Sequence, residues 1–147
     1  MTSSLKTLFL AGLAVAAAWL SPLLAATPNV APGAGDVQIV AFHISGQYTA
    51  TTAAVARFTL PFEARLLGVS ASARASGGTS PTLTVDVKEA GATVLSAPVA
   101  VTAGAVAEAT VTDAALADEA AITIDLAITG TSPTWNDIVV VLTLFRT

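Results

Sequence analysis

From residue 37 onward, apolar side chains return at every second position. In "PTLTVDVKEAG", Leu83, Val85 and Val87 point one way and Thr82, Thr84, Asp86 and Lys88 the other. "AITIDLAIT" repeats the pattern, with Ile122, Ile124, Leu126 and Ile128 inside and Thr123, Asp125 and Ala127 outside. A period of two belongs to a β-strand with one wet face. "ARLLGVSASARA" predicts a strand with Leu67, Val69 and Ala71 inward, and "AVAEATVTD" a weaker one through Val106, Ala109 and Val111. The final run, "DIVVVLTLFRT", is apolar on both faces up to Leu144. It predicts a central strand, or one covered on both sides by neighbours or another subunit.

Glycine and proline punctuate these runs. "SGGTSP" (76–81), "EAGA" (89–92), "TAG" (102–104) and "TGTSP" (129–133) are placed where strands would reverse. "VKEAGATVL" has the pattern of a tight hairpin, with Gly91 free to take a positive φ. "DAALADEAA" (113–121) reads as a loop with an inward Leu116. No amphipathic helix is visible after residue 36. About seven or eight short strands in this order predict an all-β chain, an antiparallel β-sandwich or jelly roll spanning residues 37–147.

Composition narrows the chemistry. Charged residues make up 11% of the chain, against roughly 25% in an ordinary soluble domain. The body is rich in Ala, Thr, Val and Ser, which suits a thin sheet core of small and β-branched side chains. Without cysteine there is no disulfide, thiolate metal site or cysteine nucleophile. His43 is the single histidine, so no histidine cluster exists to hold zinc. Every acidic residue lies after residue 26, scattered except for Asp118-Glu119, and only Arg57, Arg65, Arg74, Lys88 and Arg146 oppose them. A net acidic domain without a basic patch argues against nucleic acid as partner.

The N-terminus is different in kind. "KTLFLAGLAVAAAWLSPLLAA" (6–26) carries one basic residue and then no charge until Asp36. Three uses fit residues 1–26. A secretory signal peptide has such a basic start, short apolar run and small-residue end, although Leu24 sits where a small residue is preferred before a cut at Ala26. A membrane anchor through residues 7–26 would be about 30 Å long as a helix, with Trp19 near an interface and Pro22 kinking the last turn. An assembly helix would use Leu8, Phe9, Gly12, Ala16 and Trp19, since small residues four apart let helices pack closely. "TPNVAPGAGD" (27–36) then reads as a Pro/Gly linker.

Residues 60–147 resemble a β-sandwich module of bacteriophage virion proteins, found in tail-fibre, head-fibre and capsid-decoration proteins. The resemblance is carried in order by "ARLLGVSASA", the hairpin "SPTLTVDVKEAGATVLS", the segment "VTAGAVAEATV", the acidic turn Asp118-Glu119 ahead of "ITIDL", and the closing strand "DIVVVLTLFRT". The chain departs from the module in having Ala90-Gly91 where Asn-Gly is usual, and in its hydrophobic N-terminus. The resemblance implies a non-enzymatic structural protein of a phage particle. It would assemble with other virion proteins and with itself, a homotrimer being favoured.

No residue pattern nominates a catalytic centre or calls for a cofactor or metal: there is no Gly-x-Ser-x-Gly, and His43 has no visible triad partner. Asp118-Glu119 lacks the spacing of a calcium loop. One surface loop is a candidate for binding, Trp135, Asn136 and Asp137 after "TGTSP", with Tyr48 as a second aromatic. Such a loop could stack on a host-surface glycan, or Trp135 could cap the end of the core. The alternative to a virion protein is a secreted or cell-envelope β-sandwich that binds carbohydrate.

Overall fold

The computed structural model describes residues 36–147. The proposed N-terminal helix, with Leu8, Phe9, Gly12, Ala16 and Trp19, lies outside them, as does the linker up to residue 35. The described residues are all β, and hydrogen bonding joins their eight strands into one antiparallel sheet. The strands are β1 (Val37–Tyr48), β2 (Thr52–Thr59), β3 (Ala64–Glu89), β4 (Ala92–Thr93), β5 (Val99–Val101), β6 (Val106–Ala109), β7 (Ala115–Leu116) and β8 (Ala121–Arg146).

Two of these strands organise the rest. β3 and β8 are 26 residues each and pair along their whole length, from Ala64↔Arg146 to Glu89↔Ile122. A straight strand of that length would reach about 85 Å. Yet Ala115 pairs with Arg65 at the start of β3, and the N–H of Ala117 donates to Glu89 Oε1 at its end, at 2.8 Å. The ribbon is therefore folded in two, and its halves become the middles of two facing layers.

The crease lies in the two segments that the sequence marks as turns, and here the expectation needs correcting. "SGGTSP" and "TGTSP" do not reverse the chain. They bend β3 and β8 in place while pairing continues through Gly77↔Thr134, Thr79↔Thr131 and Thr82↔Thr129, with register shifts between them. Gly78 (φ 98°), Ser80 (φ 50°), Gly130 (φ 126°) and Ser132 (φ 48°) supply the bend. The local signal for a turn and for a mid-strand bend is the same, because both need positive φ at isolated residues. Only the pairing partner tells them apart.

The first layer contains β1, the second half of β8, the first half of β3, and β6 and β7; the second contains β2, the first half of β8, the second half of β3, and β4 and β5. Between them lies one apolar core. The first layer contributes Leu66, Val69, Ala71, Ala73, Ile138, Val140, Leu142 and Leu144, and the second Leu83, Val85, Val87, Ile122, Ile124, Leu126 and Ile128. No polar or charged residue among those described is buried. On one side the gap is closed by Phe42 of β1 and Phe58 of β2. On the other, Leu95 bridges to Val111 and Ala73 to Ala103.

Most of the expected alternation is present. Leu83, Val85, Val87, Ile122, Ile124, Leu126 and Ile128 all face inward, and Leu116 is buried. The β3–β4 hairpin turns through Ala90 and Gly91, both at positive φ, as a two-residue primed turn requires. Two phases differ. The register shift between Leu66 and Gly68 makes Leu67 an extra outward residue, so Leu66 rather than Leu67 enters the core. In β6, Ala107 and Ala109 pack on the core while Val106 faces out.

Candidate functional surface

The two layers present opposite chemistry to the outside. On the second layer the outer face is polar. Asp86 and Asp125 lie directly opposite each other on β3 and β8, an arrangement that repels. Lys88 offsets it, with Nζ 2.7 Å from Asp125 Oδ2 and 4.0 Å from Asp86 Oδ2. The remaining lone pairs are engaged as well: Ala54 N–H donates to Asp125 Oδ1 at 2.7 Å, and Thr93 Oγ1 to Asp86 Oδ1 at 2.6 Å. The hydrogen bond from Lys88, and then that from Ala54, hold the Asp125 carboxyl below its ordinary range. The same bond and charge raise the Lys88 ammonium above its own. Every charge here has a partner, so the cluster is a strut between strands and not a free acid or base. Among the described residues no group of three or more His, Asp or Glu side chains is placed to hold a metal.

The residues singled out as a binding loop lie in strands. Tyr48 pairs with Trp135 and Gln47 with Asn136 across β1 and β8. Trp135 is 2% exposed and belongs to the core, so its ring is not offered to a sugar. Its indole N–H has no hydrogen-bond partner among the described residues. Tyr48 packs half-buried beside it. Asn136 and Asp137 are half-buried, and Asp137 holds Arg74 at 2.6 Å and accepts from Gly46 N–H at 3.2 Å. These residues brace the β1 bulge between Ile44 and Gln47. His43 is exposed on β1 opposite Val139. Asp118 and Glu119 form an exposed turn, in which Glu119 N–H donates to Leu60 O at 2.9 Å.

The outer face of the first layer is where apolar surface collects. Pairing places its rows side by side: Val37, Phe145 and Arg65; Ile39, Thr143 and Gly68; Ala41, Val141, Ser70 and Glu108; His43, Val139, Ser72 and Val106. All four large apolar side chains that stand exposed in the described residues are on this face: Val37 at 56%, Ile39 at 70%, Leu67 at 51% and Val106 at 70%. Val139, Val141 and Phe145 between them are half-exposed. From Val37 to Ile44 on β1 and from Ile138 to Phe145 on β8 there is no Asp, Glu, Lys or Arg; Asp137, paired with Arg74, stands at the edge of this stretch. This is the second apolar face expected of "DIVVVLTLFRT". That strand is indeed central, flanked by β1 and β3, but among the described residues nothing covers its outer side. Ile39 carried no signal alone, and Val106 was expected to face inward. Their meaning comes from the pairing that sets them beside Val141.

No protein-family model matches the chain, and no curated protein matches it. Solved structures do. A chain of the cyanophage Pam1 capsid asymmetric unit superposes with a TM-score of 0.50 at 21% identity, covering 83% of this chain and 92% of that one. Weaker likenesses are to infectious bursal disease virus, strain Gx (TM-score 0.40, 10% identity, 74% of this chain and 32% of that one), and to T=1 particles derived from the same virus (TM-score 0.41, 11% identity, 76% and 36%). The fold of the described residues is thus one that this chain shares with a chain of a cyanophage capsid.

Proposed function

We propose that the protein is a non-enzymatic structural component of a phage particle, displayed as a β-sandwich and assembled with copies of itself and with other virion proteins. The observation that carries this reading is the fold in common with a capsid chain over 92% of that chain's length. The one-sided apolar face supports it, because a contiguous apolar surface on a small domain is suited to burial against a partner. Within the particle, the roles that fit are capsid decoration, head fibre or tail fibre, with a symmetric oligomer, a trimer first among them. The proposed work is mechanical: joining or reinforcing parts.

The carbohydrate-binding alternative draws no support from the candidate loop, since Trp135 is buried. The test is quantitative mass spectrometry of purified particles from the source. Peptides from residues 36–147 at a fixed copy number per particle are the expected result. Their absence from particles, with the protein recovered in the medium or envelope instead, would sink the reading. The intact mass in the same experiment shows whether residues 1–26 are kept as an anchor or assembly segment or removed as a signal peptide.

A further inference from the structure

We propose that the outer face of the first layer packs against the same face of a second copy, making a two-fold contact. The inference rests on the reading above that the chain assembles with itself, and names the surface used.

Three observations carry it. The first is the distribution of apolar surface: Val37, Ile39, Leu67 and Val106 are the exposed large apolar residues among those described, and pairing sets all of them on this one face. No comparable patch exists elsewhere on the described surface for this face to meet on a neighbouring copy. Like therefore meets like, and a contact between identical patches is two-fold by symmetry. The second is size. Three strands about 4.8 Å apart, with about nine residues each from β1, β8 and β3, and the four-residue β6 beside them, make a patch of roughly 500 Å². Two such patches bury about 1,000 Å² in total, the lower bound for a specific interface. The third is charge. The centre of the patch, along β1 and β8, carries no Asp, Glu, Lys or Arg, so stacking two copies sets no like charges together there. The flanking charges are of both signs, Arg65 and Arg74 on β3, Asp137 on β8 and Glu108 on β6, with Arg74 and Asp137 already paired. The three-fold contact favoured for the particle would then use a different surface.

The test uses the full chain in sedimentation velocity, with Ile39→Glu and Val106→Glu against Thr123→Glu on the polar face. Ile39 and Val106 are each 70% exposed, so folding is unaffected and circular dichroism checks it. The expected result is association in the wild type and in Thr123→Glu, weakened about 100-fold or more in either face variant by a buried unpaired carboxylate. A second arm exploits the absence of cysteine. Val141→Cys, at the middle of the patch, is expected to form a disulfide-linked dimer under mild oxidation, and Thr123→Cys is not. Unchanged association in both Glu variants, or equal cross-linking at Val141 and Thr123, overturns the contact. A monomeric chain recovered at fixed copy number from particles overturns the contact and leaves the structural role standing. A dimer through this face from a chain absent from particles does the reverse.

Discussion

Phe42 and Phe58 meet with ring centroids 4.9 Å apart and planes tilted by 34°. One comes from each layer, so the pair seals the side of the sandwich where β1 and β2 form the margins. Aromatic pairs of this geometry contribute about 0.5–1.5 kcal/mol beyond their buried area. A double-mutant cycle with Phe42→Leu and Phe58→Leu is expected to return a coupling of that size in urea unfolding. A coupling near zero would mean that each ring acts only through its own layer.

The crease predicts which glycines are irreplaceable. A Cβ on Gly78 would overlap the Ser132 carbonyl oxygen, and one on Gly130 would lie 2.8 Å from Ser80 O. Both also have positive φ. Gly78→Ala and Gly130→Ala are each expected to cost about 1–3 kcal/mol or more. Gly68 has open space and no positive φ, so Gly68→Ala is expected to stay within about 0.5 kcal/mol of wild type. Equal losses at all three positions would show that the crease is not under this constraint.

The strut on the second layer predicts how stability follows pH. Asp125 has a lowered folded pKa. Its contribution is present above the ordinary carboxylate value of about 3.9 and is lost as pH falls through the lower folded value. Lys88 has a raised one. Its contribution is present below about 10.4 and is lost as pH rises through the higher folded value. The Tm difference between wild type and Asp125→Asn is therefore expected to be level from about pH 5 to 9 and to shrink at either extreme. A difference that grows toward acid would contradict the assignment.

Alternation in the last strand can be read out by truncating neighbours. Leu142 is fully buried between the layers and Val141 is half-exposed on the outer face. Leu142→Ala is expected to cost about 2–5 kcal/mol of folding stability. Val141→Ala is expected to cost well under half of that in the isolated chain, its larger effect being on association. Comparable folding losses at the two positions would mean that the outer face is already covered.

How much of this was legible follows from where each signal lives. The inward set Leu83, Val85, Val87, Ile122, Ile124 and Leu126 is readable because strand period is local. So is the hairpin at Ala90-Gly91, because its turn chemistry is local. The continuity of β3 through Gly77-Gly78 was not, since a bend and a reversal ask the same of two or three residues. Leu67 was misplaced for a related reason: a bulge shifts the phase by one, and only the partner strand reveals it. Trp135 could be weighed as core or as platform from sequence, and pairing with Tyr48 and Ser76 sets it in the core. The outer face was half legible. "DIVVVLTLFRT" announces it, whereas the contribution of Ile39 and Val106 requires the tertiary pairing.

The long ribbon also sets a timetable for synthesis. β3 finds its full-length partner only in β8, and those pairs span from Glu89↔Ile122 to Ala64↔Arg146. β1 and β2, although first from the ribosome, likewise pair with β8. A nascent chain that ends before residue 121 can form the β3–β4 hairpin and the pairings of β5, β6 and β7 with β3, but neither β1 nor β2 has its partner strand. The body must therefore fold late and through distant contacts, a topology associated with slow folding and with exposure of unpaired strand edges in the interval.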